Sequence, residues 1–184
     1  FVKDFSPNGS PVGTENFFEG GDDWQRTASN AVHLTNGNLV VVTDWTDPAL
    51  NHDHVSITLV DMSTGSTIGD DIELAGTANQ EASVSATADG GFVVAWIADA
   101  NDEGTQYVAI QKYDSLGVPV GAEFQSEIGF EYSDPKITGL ENGGFAATWE
   151  GETADNNEVI ALQIFDAESV AQSSEFIPIF SDSD

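Results

Sequence analysis

The stretch DGGFVVAWIADANDEGTQYVAIQKYDSLGVPVGAEF, residues 89–124, contains the pattern that decides the fold. A tight-turn signal opens it, and an apolar run that ends near Trp96 follows. An acidic loop then leads to a second apolar run, which ends at Tyr113. Glycine-containing turns between short runs rich in valine and aromatic residues predict β-hairpins rather than helices. The run from Phe92 to Ile97 is continuously apolar, which predicts a strand covered on both faces.

Near-copies of this stretch lie on both sides of it. Tryptophan recurs at intervals of about 50 residues, at Trp45, Trp96 and Trp149, and a fixed period of this size is typical of a repeat architecture. The predicted boundaries are a half repeat at 1–20, full repeats at 21–76, 77–128 and 129–180, and an acidic tail at 181–184. Because the chain begins at Phe1 in the middle of this pattern, we expect it to be a fragment or processed product of a longer protein.

We therefore predict an all-β fold, a propeller-like array of four-stranded antiparallel repeats of about 50 residues each. Each sheet of such an array packs between two neighbours, which explains inner strands that have no polar face. Three repeats and a half are fewer than the usual minimum of about four blades, so we expect other repeats or another chain to close the ring. The alternative is an array of β-sandwiches, which has similar strand and turn spacing.

The composition is strongly acidic, since 32 acidic and 4 basic residues give a formal net charge of -28. Such a surface attracts cations and repels nucleic acid, so we expect cations and no nucleic acid among the partners. No apolar run approaches the roughly 18 residues that a membrane span needs, and we expect no membrane insertion. The chain has no cysteine, which excludes disulfides and thiolate zinc sites. Adaptation to high salt would also produce this composition.

The repeat pattern is carried by a set of glycine, aromatic and polar positions. In the second repeat these are Asp89, Gly90, Gly91, Phe92, Trp96, Gln111, Tyr113, Asp114, Gly117, Gly121, Glu123 and Phe124. The third repeat keeps Gly143, Gly144, Phe145, Trp149, Gln163, Phe165 and Asp166, but has Ser169-Val170-Ala171-Gln172 where the later glycines are expected. This pattern resembles the repeats of large secreted bacterial proteins of the RTX and cadherin-like adhesin type. The resemblance implies a calcium-associated, exported protein located outside the cell or at the cell surface, with a structural or adhesive role.

The most site-like feature is the acidic loop predicted after Trp96, which reads Asp99-Ala100-Asn101-Asp102-Glu103-Gly104. Oxygen ligands at alternate positions before a glycine are typical of the start of a calcium loop. We therefore predict Asp99, Asn101 and Glu103 as metal ligands. The twelfth position of such a loop would be Ile110, which has no carboxylate, so a solvated acidic loop is the alternative.

Two further features are candidates for binding. His52 and His54 occupy alternate positions and would share one face of a strand, where they could bind a metal, although an ordinary polar loop also explains them. Trp24 lies outside the repeat pattern and is predicted to stack on a glycan, whereas the repeated tryptophans are predicted to pack in the core. The alternatives to a non-catalytic module are therefore a carbohydrate-binding module and a fragment of a propeller hydrolase. The chain lacks the arginine cluster of sialidase-type propellers, since Arg26 is its one arginine.

Overall fold

The structure is a computed structural model of the chain. It describes residues 2–5, 10–16, 25–47, 52–74, 77–101, 105–127, 132–152 and 158–172. All fourteen regular elements in these ranges are β-strands, and all of their pairings are antiparallel. The prediction of an all-β fold is confirmed. Within the same ranges no sheet closes on itself.

The strands form one short hairpin and three larger sheets. The hairpin pairs β1 (Val2–Phe5) with β2 (Pro11–Asn16). Sheet 1 contains β3 (Gln25–His33), β4 (Leu39–Asp47), β5 (His52–Asp61), β6 (Ser66–Thr67) and β7 (Ile72–Glu73). Sheet 2 contains β8 (Thr77–Ala86), β9 (Phe92–Asn101), β10 (Thr105–Tyr113) and β11 (Pro119–Gln125). Sheet 3 contains β12 (Tyr132–Gly139), β13 (Phe145–Glu152) and β14 (Glu158–Phe165). Each sheet is a meander, except that β6 and β7 both pair with β5.

The same turn joins the first strand of each sheet to the second. In sheet 2 the N–H of Gly90 donates to the carbonyl oxygen of Thr87 at 3.0 Å, and Gly90 has a φ of +92°. Glycine adopts this left-handed conformation without steric cost. Gly37 and Gly143 hold the same place in sheets 1 and 3, with φ values of +90° and +84°. The Asn-Gly and Asp-Gly pairs therefore form the hairpin turns that their sequence predicts.

Sheet 2 lies between sheets 1 and 3. Successive side chains of a strand point to opposite faces, so β9 contributes to two hydrophobic cores. The core between sheets 1 and 2 includes Val40, Val42, Ile57, Leu59, Phe92, Val94, Trp96 and Ala109. The core between sheets 2 and 3 includes Val93, Ala95, Ile97, Val108, Ile110, Phe145, Ala147, Trp149 and Phe165. Every residue of β9 from Phe92 to Ala98 is fully buried, which accounts for the continuous apolar run in the sequence.

The first strands of sheets 2 and 3 approach each other closely. The N–H of Gly139 donates to the Oγ of Ser85 at 2.9 Å, and the N–H of Ile137 donates to the Oγ of Ser83 at 3.3 Å. A Cβ added at Gly139 would lie 2.1 Å from the carbonyl oxygen of Ala86. The distance between the two sheets therefore requires glycine at this position.

Lys112 connects sheet 2 to sheet 3 although its side chain is almost completely buried. Its Nζ donates to the carbonyl oxygen of Ala167 at 2.6 Å and to that of Gly143 at 3.3 Å, and both carbonyls belong to turns of sheet 3. The third partner is Asp89 Oδ2 at 2.7 Å. Three acceptors match the three N–H donors of an ammonium group, so the buried charge is paired and hydrogen-bonded.

Candidate functional site

The calcium ligands predicted from the sequence are only partly within the described residues. β9 continues to Asn101, so Asp99 and Asn101 belong to a strand and pair with Gln106 and Thr105. β9 thus extends further than the sequence predicts, because β10 pairs with it as far as Asn101. Glu103 lies outside the described residues, and the calcium site remains a prediction. Among the described residues, no group of three or more His, Asp or Glu side chains is arranged to hold a metal ion.

The repeated tryptophans are core residues. Trp45, Trp96 and Trp149 have relative exposures of 5%, 0% and 1%. Trp96 and Trp149 each lie on the face of their sheet that packs against the preceding sheet, and Trp45 lies on the corresponding face of sheet 1. None of these three indoles can stack on a glycan from solution. Trp24, the predicted ligand-binding aromatic, lies outside the described residues.

Several of the repeated acidic residues stabilise turns. Asp114 Oδ1 accepts hydrogen bonds from the N–H groups of Leu116 and Val118, at 2.8 and 2.9 Å. In sheet 3, Asp166 Oδ1 accepts from the N–H of Val170 at 2.8 Å. An aspartate that binds the backbone a few residues ahead of it fixes the turn locally. The acidic pattern therefore has a structural explanation at these positions.

The side chains of Asp44 and Glu81 accept hydrogen bonds across the boundaries between sheets, and the sequence did not predict either contact. Glu81 and Asp134 lie at β-bulges in β8 and β12, with φ values of +54° and +50°. The N–H of Glu81 donates to Asp44 Oδ2 of sheet 1 at 3.1 Å. The N–H of Asp134 donates in turn to Glu81 Oε2 at 2.7 Å. We call Asp44 and Glu81 the junction carboxylates, because each accepts the bulge N–H of the next sheet.

The carboxyl group of Asp44 is buried at the boundary between sheets 1 and 2, and its pKa is shifted toward neutral pH. Burial raises the pKa of Asp44 from 3.8 to about 6, while hydrogen bonds from the N–H groups of Ala82 and Glu81 oppose the rise. The nearby carboxylates of Glu81 and Asp53 raise the pKa of Asp44 further. The folded state therefore binds this proton more tightly than the unfolded chain does. Stability from this group is gained as the pH falls through about 6 and is lost as the pH rises.

Other titratable groups gather at the same end of sheet 1. The ring of His54 stacks on Trp45, with centroids 4.2 Å apart, and its Nδ1 lies 3.7 Å from Glu73 Oε2. Asp53 Oδ1 accepts from Thr46 Oγ1 at 2.6 Å. The side chain of His52 lies outside the described residues, so a metal shared with His54 remains a hypothesis. The candidate functional site is therefore the end of β4 and β5, where Asp44, Asp53, His54 and Glu73 lie together and Asp44 has a raised pKa.

Comparisons with known proteins add no relative to this description. No family model matches the chain, and searches of the curated proteins and of the solved structures found no match. The described part of the chain also contains no helix with the length and hydropathy that a membrane crossing requires.

Proposed function

We propose that this chain is a non-catalytic structural and adhesive repeat module of an exported bacterial protein. In this role the chain is a scaffold of stacked β-sheets outside the cell or at the cell surface. Its negative surface is neutralised by cations, of which calcium is the first candidate. The finer arrangement that we propose for the sheets is propeller-like, with each sheet packed between its neighbours.

One observation carries this proposal: the residues that recur along the sequence form turns and cores. The three repeated tryptophans are buried, and the repeated glycines Gly37, Gly90 and Gly143 form the same turn. The repeated Asp114 and Asp166 bind backbone N–H groups in turns. Repetition of structural residues is what an extendable scaffold requires, because each repeat packs on its neighbours in the same way.

The charge of the chain supports a role for cations. A formal net charge of -28 on 184 residues destabilises the compact state by self-repulsion, because folding brings the carboxylates together. Cations that accumulate at the folded surface reduce this repulsion. A cation that binds the folded chain more tightly than the unfolded chain raises the stability further.

Thermal unfolding in calcium, in EDTA, and in EDTA with high sodium chloride tests this proposal. We expect the midpoint temperature to be lowest in EDTA at low salt and to rise with either cation. Stabilisation by millimolar calcium that sodium does not reproduce at equal ionic strength would indicate specific sites, of which Asp99, Asn101 and Glu103 are the first to substitute. A midpoint that neither chelator nor salt changes would contradict the proposal. Turnover of a glycan by the chain would contradict its non-catalytic part.

A further inference from the structure

The outer face of sheet 3 is mainly apolar, and half of its residues are exposed. We define it as the face of β13 and β14 that points away from sheet 2, formed by Ala146, Thr148, Glu150, Ile160, Leu162 and Ile164. Ile160 and Ile164 are 41% and 40% exposed, and they are among the most exposed large hydrophobic residues of the described chain. The opposite face of β14, which includes Phe165, is buried against sheet 2.

The same face of sheet 2 is covered. Two cross-strand pairs of sheet 2 are equivalent to two pairs on the outer face of sheet 3. Ala95 and Ile110 correspond to Thr148 and Leu162. Ile97 and Val108 correspond to Glu150 and Ile160. The residues of these two pairs in sheet 2 are at most 2% exposed, because sheet 3 packs on them. Sheet 1 presents the corresponding face, with Val40 and Val42, to sheet 2. In both described boundaries, this face of one sheet packs on the aromatic face of the next sheet.

The hydrogen-bond acceptors of these boundaries are also present on sheet 3. Glu150 is the sixth residue of β13, as Asp44 is the sixth residue of β4. Asp134 lies at the bulge of sheet 3, as Glu81 lies at the bulge of sheet 2. Asp44 and Glu81 accept the bulge N–H of the following sheet, whereas Glu150 and Asp134 are exposed. A hydroxyl acceptor is present too. Ser85, which pairs with Val93, accepts the N–H of Gly139. Thr138, which pairs with Ala146, occupies the equivalent position in sheet 3.

We propose that the outer face of sheet 3 is a docking surface for one further antiparallel sheet of the same repeat. The partner presents an aromatic face like that of Phe145 and Trp149, and its first strand carries a bulge N–H. Glu150 or Asp134 accepts that N–H. The proposal rests on the structural role proposed above and names the partner that this role requires. The face contains no aromatic side chain, so it lacks the stacking platform that a glycan needs.

A chain extended by a tandem copy of residues 129–180 provides the partner sheet for a direct test. We expect this extended chain to unfold in a single transition at a higher temperature than the 184-residue chain. The tryptophan of the added copy should be protected from acrylamide as strongly as a core tryptophan. A separate transition at lower temperature, or an added tryptophan that is quenched freely, would overturn the proposal.

Substitution of the docking surface separates a specific interface from general stabilisation. The double variant Ile160→Lys, Ile164→Lys, placed only in the original copy, should lower the midpoint of the extended chain by several degrees. It should lower that of the 184-residue chain by clearly less, because both positions are already partly exposed there. The matched control is Leu116→Lys, Val118→Lys, at two exposed apolar positions of a turn in sheet 2, and it should affect both chains equally.

Equal effects of the docking-surface variant on both chains would also overturn the proposal. If the docking proposal failed in this way but cations clearly stabilised the 184-residue chain, the proposed structural role would stand without the docking surface. Absence of cation stabilisation, together with a docked added repeat, would contradict the cation part of the proposed function and leave the docking surface in place.

Discussion

The substitution Lys112→Met removes the ammonium group that connects sheet 2 to sheet 3. Methionine has similar length and can occupy the buried position, so the main change is the loss of three hydrogen bonds. Asp89 can be rehydrated, because its side chain is 49% exposed. The carbonyl oxygens of Gly143 and Ala167 lose a donor at a site where Lys112 is 1% exposed.

The expected cost follows from these two carbonyl groups. A buried polar group without a partner costs about 1–3 kcal/mol, and part of this is offset because a charge is no longer buried. We therefore expect Lys112→Met to lower the free energy of unfolding by about 2–4 kcal/mol. For a chain of this size that corresponds to a fall in the unfolding midpoint of roughly 4–16 °C.

Thermal unfolding followed by circular dichroism measures this effect, with Lys136→Met as the matched control. Lys136 is 64% exposed and pairs with Asp134 at the surface, so its replacement changes the net charge equally without opening a buried contact. A surface ion pair contributes about 1 kcal/mol at most. Midpoints of the two variants within about 1 °C of each other would refute the reasoning, because the lysine contacts between the sheets would then contribute nothing.

Three further predictions concern charge, packing and backbone conformation. Asp44→Asn should raise stability at pH 8 and reduce the gain on acidification from pH 7 to pH 5, because the raised pKa of Asp44 makes its charge costly in the folded state. Chemical unfolding at several pH values tests this, with Glu150→Gln at the equivalent exposed position as the control. Gly139→Ala should destabilise the chain by about 2–4 kcal/mol, because the added Cβ would overlap the carbonyl oxygen of Ala86. Urea unfolding measures this effect, and an unchanged midpoint would contradict the close packing of the two sheets at Gly139. Ser169→Gly should stabilise the chain by up to about 1 kcal/mol, because Ser169 has a φ of +66°; a destabilised variant in the same assay would show that the serine side chain outweighs the strain.

The parts of the fold that local chemistry determines could be predicted from the sequence. Asn36-Gly37 and Asp89-Gly90 identify their hairpins because the turn needs one residue with a positive φ, which the glycine of each pair supplies. The apolar run that begins at Phe92 identifies a strand buried on both faces because a wet face would show polar residues at alternate positions. The position of Trp96 at the end of that run identifies it as a core residue.

The features that depend on distant contacts could not be predicted. Lys112 interrupts an apolar strand, and its carbonyl partners lie 31 and 55 residues away, so nothing in its neighbourhood signals a buried amine. The bulge at Glu81 depends on how β8 pairs with β9, and its hydrogen bond to Asp44 depends on how sheets 1 and 2 pack. The sequence predicts that the strand after Phe92 ends before Asp99, whereas β9 continues to Asn101. Its pairing with β10 outweighs the turn tendency of the acidic residues.

Amide hydrogen exchange tests most directly that the three sheets form one stack with sheet 2 in its centre. If sheet 2 is covered on both faces, the amides from Val93 to Ile97 should exchange only through global unfolding, with the free energy measured by chemical unfolding. The amides of β14, a strand with one exposed face, should exchange through smaller openings. Exchange in β9 at a free energy well below that of global unfolding would contradict the stack, and with it the scaffold on which the proposed function depends.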